Sequence, residues 1–109
     1  MHFKDYQTEA AKTAKYPAIG APYVYPALGL ANESGEVLGK IKKIFRDFDG
    51  KLTDEYKEAI KKELGDVLWY IAMLSRDLGL DLEEIADENL KKLDSRMQRG
   101  TLGGDGDNR

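Results

Sequence analysis

A chain of 109 residues is the size of one domain, and 41% apolar with 34% charged residues is the balance of a folded, strongly helical chain. There is no cysteine and a single histidine, His2, which excludes disulfides, thiolate catalysis, Ser-His-Asp triads and His- or Cys-rich metal sites. Chemistry in this chain has to run on carboxylates, basic side chains and water. A formal net charge of −3 argues against a general nucleic-acid binder. No apolar run approaches the roughly 18–20 residues of a membrane span, the first residues carry no apolar signal core, and the absence of cysteine fits a reducing, cytoplasmic setting.

The first predicted helix covers residues 3–15. Phe3, Tyr6, Gln7, Ala10, Ala11 and Ala14 share one face, and the small residues permit close helix approach. Tyr16-Pro17 ends it, because the residue before a proline is pushed out of the α region. Residues 16–26 hold Pro17, Gly20, Pro22 and Pro26 with Tyr16, Tyr23 and Tyr25 between them. That density of breakers means a loop, and the tyrosines suggest an ordered crossover or a wall for a flat aromatic ligand.

A second helix is predicted over 26–45, with Pro26 in the first turn where its missing N–H costs nothing. Asp47, Asp49 and Gly50 form a turn. Thr53 caps a third helix over 53–78, closed by Gly79. Asp81 caps a fourth helix reaching residue 99, with Glu84 completing a capping box. The tail, 100–109, has four glycines and little apolar surface, a composition that predicts mobility. The fold class is therefore all-α: a four-helix domain, 1–99, with two long central helices and a flexible tail, 100–109. Helices of that length span roughly 30–40 Å and leave apolar stripes one copy can hardly cover. A homo-oligomer, a dimer at least, is expected on that ground.

The most informative feature is an internal echo. Residues 33–41 read ESGEVLGKI and residues 63–71 read ELGDVLWYI, identical at five of nine positions at an offset of thirty, with Glu36 and Asp66 a conservative sixth. On a wheel of about 100° per residue, Val37, Leu38, Ile41, Ile44 and Phe45 share one face of the second helix, bordered by Glu33, Glu36 and Lys40. In the third, Ile60, Leu64, Val67, Leu68, Ile71, Leu74 and Leu78 share a face, bordered by Glu63, Asp66 and Tyr70. Antiparallel packing of the two brings four carboxylates toward one point. Gly35 and Gly65 sit between the acids; each costs about 1 kcal/mol relative to Ala in mid-helix, and close approach of a backbone or ligand is the expected compensation.

Crowded carboxylates raise one another's pKa or take up a cation. An all-oxygen donor set selects a hard dication, Mg²⁺ or Mn²⁺. On the fourth helix Asn89, Lys92 and Arg96 form a polar stripe beside Leu82, Ala86, Leu90, Leu93 and Met97; it is either a solvated basic stripe or a polyphosphate grip.

With these residues in place the sequence resembles the MazG-like all-α nucleoside triphosphate pyrophosphohydrolases, a superfamily that includes the dimeric all-α dUTPases. The family's E-x-x-E, gap, E-x-x-D motif stands here as Glu33-Ser34-Gly35-Glu36, a gap of 26, then Glu63-Leu64-Gly65-Asp66. Asn89-x-x-Lys92, Arg96, Tyr6-Gln7 and the ending Gly106-Asp107-Asn108-Arg109 also look like the family, and the likeness spans nearly the whole chain. One departure is visible: Asn32 precedes Glu33, where many members carry a glutamate. The resemblance implies Mg²⁺-dependent hydrolysis of a (d)NTP between the α and β phosphates, giving a monophosphate and pyrophosphate, often in a house-cleaning role. It implies metal ligation by Glu33, Glu36, Glu63 and Asp66, with Glu33 as the catalytic base. It implies substrate binding by Asn89, Lys92, Arg96 and Lys40, and a tail that closes over bound nucleotide. Trp69 is expected to stack on a base or to plug an oligomer interface. A phosphoribosyl-ATP pyrophosphohydrolase-like enzyme and a non-enzymatic helical scaffold stand as alternatives.

Overall fold

The computed structural model describes all of residues 1–109 and contains four helices and no strand: α1 Phe3–Ala11, α2 Val24–Phe48, α3 Asp54–Asp77 and α4 Leu82–Gln98. α1 stops four residues short of the sequence expectation. The Thr13 hydroxyl donates to the Ala10 carbonyl and the Thr13 and Ala14 amides reach back three residues instead of four, so side-chain competition tightens and ends the helix. α2 begins two residues earlier than expected, with Pro26 buried in its first turn, and runs three residues further, to Asp49 and Gly50 in left-handed conformation.

The caps predicted at Thr53 and Asp81 are present: each side chain accepts a backbone N–H, from Tyr56 and Glu83 respectively. Gly79 closes α3 with φ +74°. Its amide donates to the Arg76 carbonyl and that of Leu80 to Ser75, a Schellman closure.

α2 and α3 form an antiparallel hairpin. α1 packs on α3 and α4, while α2 touches only α3. The small core forms where three helices meet: Ala10 of α1, Ala72 and Met73 of α3 and Leu82 of α4, flanked by Tyr6, Tyr16 and Trp69. Gln7 ties this corner together. Its amide donates to the Ala72 and Leu80 carbonyls (3.3 and 3.0 Å) and its oxygen accepts the Leu82 N–H at 3.1 Å. The crossover loop is held by Tyr16, which stacks on Tyr25 at 5.1 Å and donates to Asp77 at 2.5 Å; Tyr23 remains exposed.

The apolar faces read from the wheel are mostly not interior to one chain. On α2, Ile44 is buried and Val37 partly so, but Leu38, Ile41 and Phe45 are exposed; on α4, Leu82 is buried while Leu90, Leu93 and Met97 are exposed. The reason is topological: with α3 as its sole neighbour, α2 has one flank covered. The radius of gyration, 16.9 Å, exceeds the roughly 13 Å of a compact chain this long for the same reason.

Candidate active site

The antiparallel hairpin sets Glu33 of α2 against Glu63 and Asp66 of α3, with one carboxylate oxygen from each residue lying within 4.8 Å of the others. Glu33 and Glu63 are partly buried and Asp66 is exposed. The repeat produces this arrangement directly. Acids three residues apart lie on one side of a helix, and antiparallel pairing of two such segments brings the first acid of one to the second of the other.

Glu36 is the motif acid that the structure leaves outside this group. It is exposed, one turn along α2, and bears on the cluster only through its charge. Lys40, a turn further on, reaches Glu63 at 3.9 Å and is the cation standing beside the acids.

The Glu33 carboxyl is pushed above the ordinary glutamate range. Burial is the largest cause, followed by the Asp66 charge, a hydrogen bond to Glu63 that only a shared proton can make, and the charges of Glu63 and Glu36. Two phenols border the acids. Tyr6 of α1 is raised by burial and then by Asp66; Tyr70 of α3 is raised by burial and then by its neighbours Tyr25, Glu33 and Asp66.

The sequence places Tyr70 beside the acids but does not show what seats it. A Cβ on Gly29 would collide with the Tyr70 ring, so the bare α2 backbone at Gly29 is what lets this ring in beside Glu33. The signal in the sequence is a mid-helix glycine one turn before the first motif acid. Gly35 and Gly65, the glycines that stand out in the repeat, have nothing within 4 Å of where a Cβ would stand, so no close approach within this chain offsets their cost.

The remaining expected residues lie elsewhere. Trp69 is committed inside the chain: its indole N–H donates to Thr13 at 3.0 Å, and its ring meets Tyr16 and Tyr70 edge to face. Part of its surface stays accessible, and the residues it meets lie at the end of α1, in the crossover loop and on α3. Asn89 is exposed on α4. Lys92 and Arg96 come together, and the ion pairs they make are with the tail and not with the clustered acids. Their shared partner is Asp107 of the tail: Lys92 reaches its carboxylate at 3.0 Å, and the nearly buried Arg96 donates to its carbonyl and, at 3.4 Å, to its carboxylate. Those contacts, Lys92 foremost, hold the Asp107 carboxyl below its ordinary range.

The tail, mobile by composition, is drawn into a hook by Arg109, whose guanidinium donates to the carbonyls of Thr101, Leu102, Gly103 and Gly106. The largest groove, about 490 Å³, lies at the α1–α3–α4 corner beside Lys4, Gln7 and Arg76 and includes none of the acids.

Residues 26–101, which hold the hairpin, the acid cluster and α4, match the MazG nucleotide pyrophosphohydrolase domain. The chain belongs to the MazG nucleotide pyrophosphohydrolase family. It is similar along its whole length to the gene 37 protein of Mycobacterium phage L5, at 44% identity over 114 aligned residues that cover all of both proteins. No solved structure matches. MazG proteins are generally divalent-metal dependent, and the donor set found here suits that: three carboxylate oxygens within reach of one point, with the Glu33 proton affinity raised where no cation offsets the crowding. No helix is long and apolar enough to cross a membrane.

Proposed function

We propose that this protein is a Mg²⁺-dependent nucleoside triphosphate pyrophosphohydrolase. It cleaves a (d)NTP between the α and β phosphates to release a monophosphate and pyrophosphate, acting as a homo-oligomer on the cytoplasmic nucleotide pool. The observation that carries this reading is the convergence of Glu33, Glu63 and Asp66 in a chain of the MazG family.

Those three residues would hold the dication, with Glu36 available to it through a water. Bound there, Mg²⁺ or Mn²⁺ supplies charge neutralisation at the phosphates and a more acidic water. The chain's own residues do the rest. Glu33, with no histidine in the cluster to compete, is assigned the proton of the attacking water. Lys40 offers the positive charge nearest the acids, and Lys92, Arg96 and Asn89 are assigned to phosphate and sugar by resemblance. An incoming phosphate would displace Asp107 from Lys92 and Arg96, which links the tail to substrate binding. In-line positioning and charge neutralisation are what phosphoryl chemistry asks of a protein more than covalent help, so a site without a nucleophile is sufficient.

The test is a panel of canonical and damaged (d)NTPs, with phosphoribosyl-ATP as a separate arm, in Mg²⁺, Mn²⁺ and chelator. Pyrophosphate release from at least one triphosphate, lost in chelator, is expected. Release of orthophosphate instead, or turnover of phosphoribosyl-ATP alone, replaces this reading.

A further inference from the structure

The two arms of the hairpin meet layer by layer. Gly29 and Glu33 are one turn apart on α2, and Asp66 and Tyr70 are one turn apart on α3. Glu33 stands against Asp66, and one layer nearer the crossover loop Gly29 stands against Tyr70. Beyond that layer Pro26 of α2 and Met73 of α3 are fully buried. On the other side of the acids, Lys40, Lys43, Tyr56 and Ala59 leave a groove of about 210 Å³ between the same two helices. The acids therefore lie between a sealed stretch of the hairpin and an open one.

Gly29 is the one glycine of the hairpin pressed on a neighbour. A Cβ there would stand more than about 1 Å inside the distance at which carbon atoms pack, against the carbons of the Tyr70 ring. Gly35, Gly39 and Gly65 have nothing within 4 Å of a Cβ. The Tyr70 ring is braced in turn by Trp69, edge to face at 5.0 Å, and Trp69 is tied to Thr13 at 3.0 Å. Backbone against braced ring makes a stop between α2 and α3.

A stop one turn from the acids controls the gap across them. The three carboxylate oxygens lie within 4.8 Å of one another. Opposite ligands stand about 4.0–4.2 Å apart around Mg²⁺ and about 4.6–5.2 Å apart around Ca²⁺, twice the respective bond lengths. Small side-chain rotations draw the observed spacing in around Mg²⁺. Widening the helices by about 1 Å puts it beyond the reach of Mg²⁺ while Ca²⁺ still spans it.

We infer that Gly29 and Tyr70 are the positioning pair of the acid cluster: their backbone-to-ring contact sets the separation of α2 and α3 beside Glu33, Glu63 and Asp66, and with it the size of dication the cluster takes. The inference rests on the dication of the proposed function and makes no use of its substrate. Both residues act through the carboxylates, and on Tyr70 it is the ring, not the hydroxyl, that matters.

Calorimetric titration of the full chain with Mg²⁺ alone and with Ca²⁺ alone, without nucleotide, tests this. Gly29→Ala is expected to weaken Mg²⁺ binding about tenfold or more and Ca²⁺ binding by no more than about threefold. Adding Tyr70→Leu to Gly29→Ala gives the methyl room and is expected to return Mg²⁺ binding to within about threefold of the parent. Tyr70→Phe keeps the ring, and Gly35→Ala meets open space; each is expected to leave both affinities within about twofold. Circular dichroism checks helix content in every sample. Should Gly29→Ala not fold, Tyr70→Ala carries the test: removing the stop is expected to change the ratio of the two affinities about fivefold or more.

An unchanged ratio in the folded variants, or equal weakening of both ions, overturns the inference and leaves the metal reading standing. Loss of Mg²⁺ binding in Tyr70→Phe overturns it too, since the hydroxyl is then the group at work. A parent chain that binds neither ion removes the metal reading and this inference with it.

Discussion

Glu33 is partly buried among like charges, and the consequence is measurable without substrate. The fold raises its pKa, so the folded state binds the proton more tightly than the unfolded chain does. Below the ordinary value near 4.5 both states are protonated and there is no penalty; above the raised folded value both are ionised and the penalty is complete. Stability in chelator is therefore expected to fall as pH rises between those two points. Mg²⁺ should flatten that slope, adding about 2.7 kcal/mol at a hundred times its dissociation constant. Thermal melts from pH 4 upward with and without Mg²⁺ check this; a flat profile in chelator means the acids are not crowded in solution. Asp66→Asn relieves the same conflict. It is expected to raise the melting temperature of the metal-free protein while abolishing turnover and Mg²⁺ stabilisation. Glu36→Gln, outside the close group, should move the melting temperature less. At Gly29 an alanine methyl would strike the Tyr70 ring, so Gly29→Ala is expected to cost about 1–3 kcal/mol in urea titrations. Gly35→Ala meets open space and should gain up to about 1 kcal/mol of helix propensity, which makes the two glycines a controlled pair.

Among the elements, the helix ends are the easiest features to read because capping is chemistry between residues a few positions apart. Thr53, Asp81 and Gly79 all stand where a local rule puts them. The end of α1 is harder, since it depends on whether Thr13 turns its hydroxyl back onto Ala10. The tail is harder still. Its glycines speak for mobility, but Arg109 gathers four carbonyls and Asp107 binds Lys92 and Arg96, contacts made across the end of α4. Deleting residues 101–109 is expected to raise KM or lower kcat, because it removes the group that orders the two cations assigned to phosphate. Unchanged kinetics would take the tail out of the mechanism.

For the whole molecule the governing fact is thin coverage: eight of 109 residues are buried, and the one buried apolar cluster sits at the corner where α1, α3 and α4 meet. Apolar stripes on long helices are left exposed around so small a core, and in the homo-oligomer proposed above dilution should lower the melting temperature in step with dissociation. The acids lie on an open hairpin and not in a closed cavity, so a nucleotide of ordinary size would find three of its binding groups here and little wall around it.

The repeated acid pair, the helix count, the caps and the absence of any thiol or second histidine followed from the sequence by itself, because periodicity, capping and composition are local and each residue type has a fixed chemistry. The repeat also pointed to a meeting of acids from the second and third helices, but as four carboxylates where the structure groups three. Only the tertiary structure decided that Glu36 stands apart, that Gly29 seats Tyr70, that Trp69 bonds Thr13 in the segment after α1 and that Lys92 and Arg96 answer to Asp107. Those outcomes turn on which flank of a helix its neighbours cover and at what angle, and that is fixed by packing between residues tens of positions apart, where no spacing rule reaches.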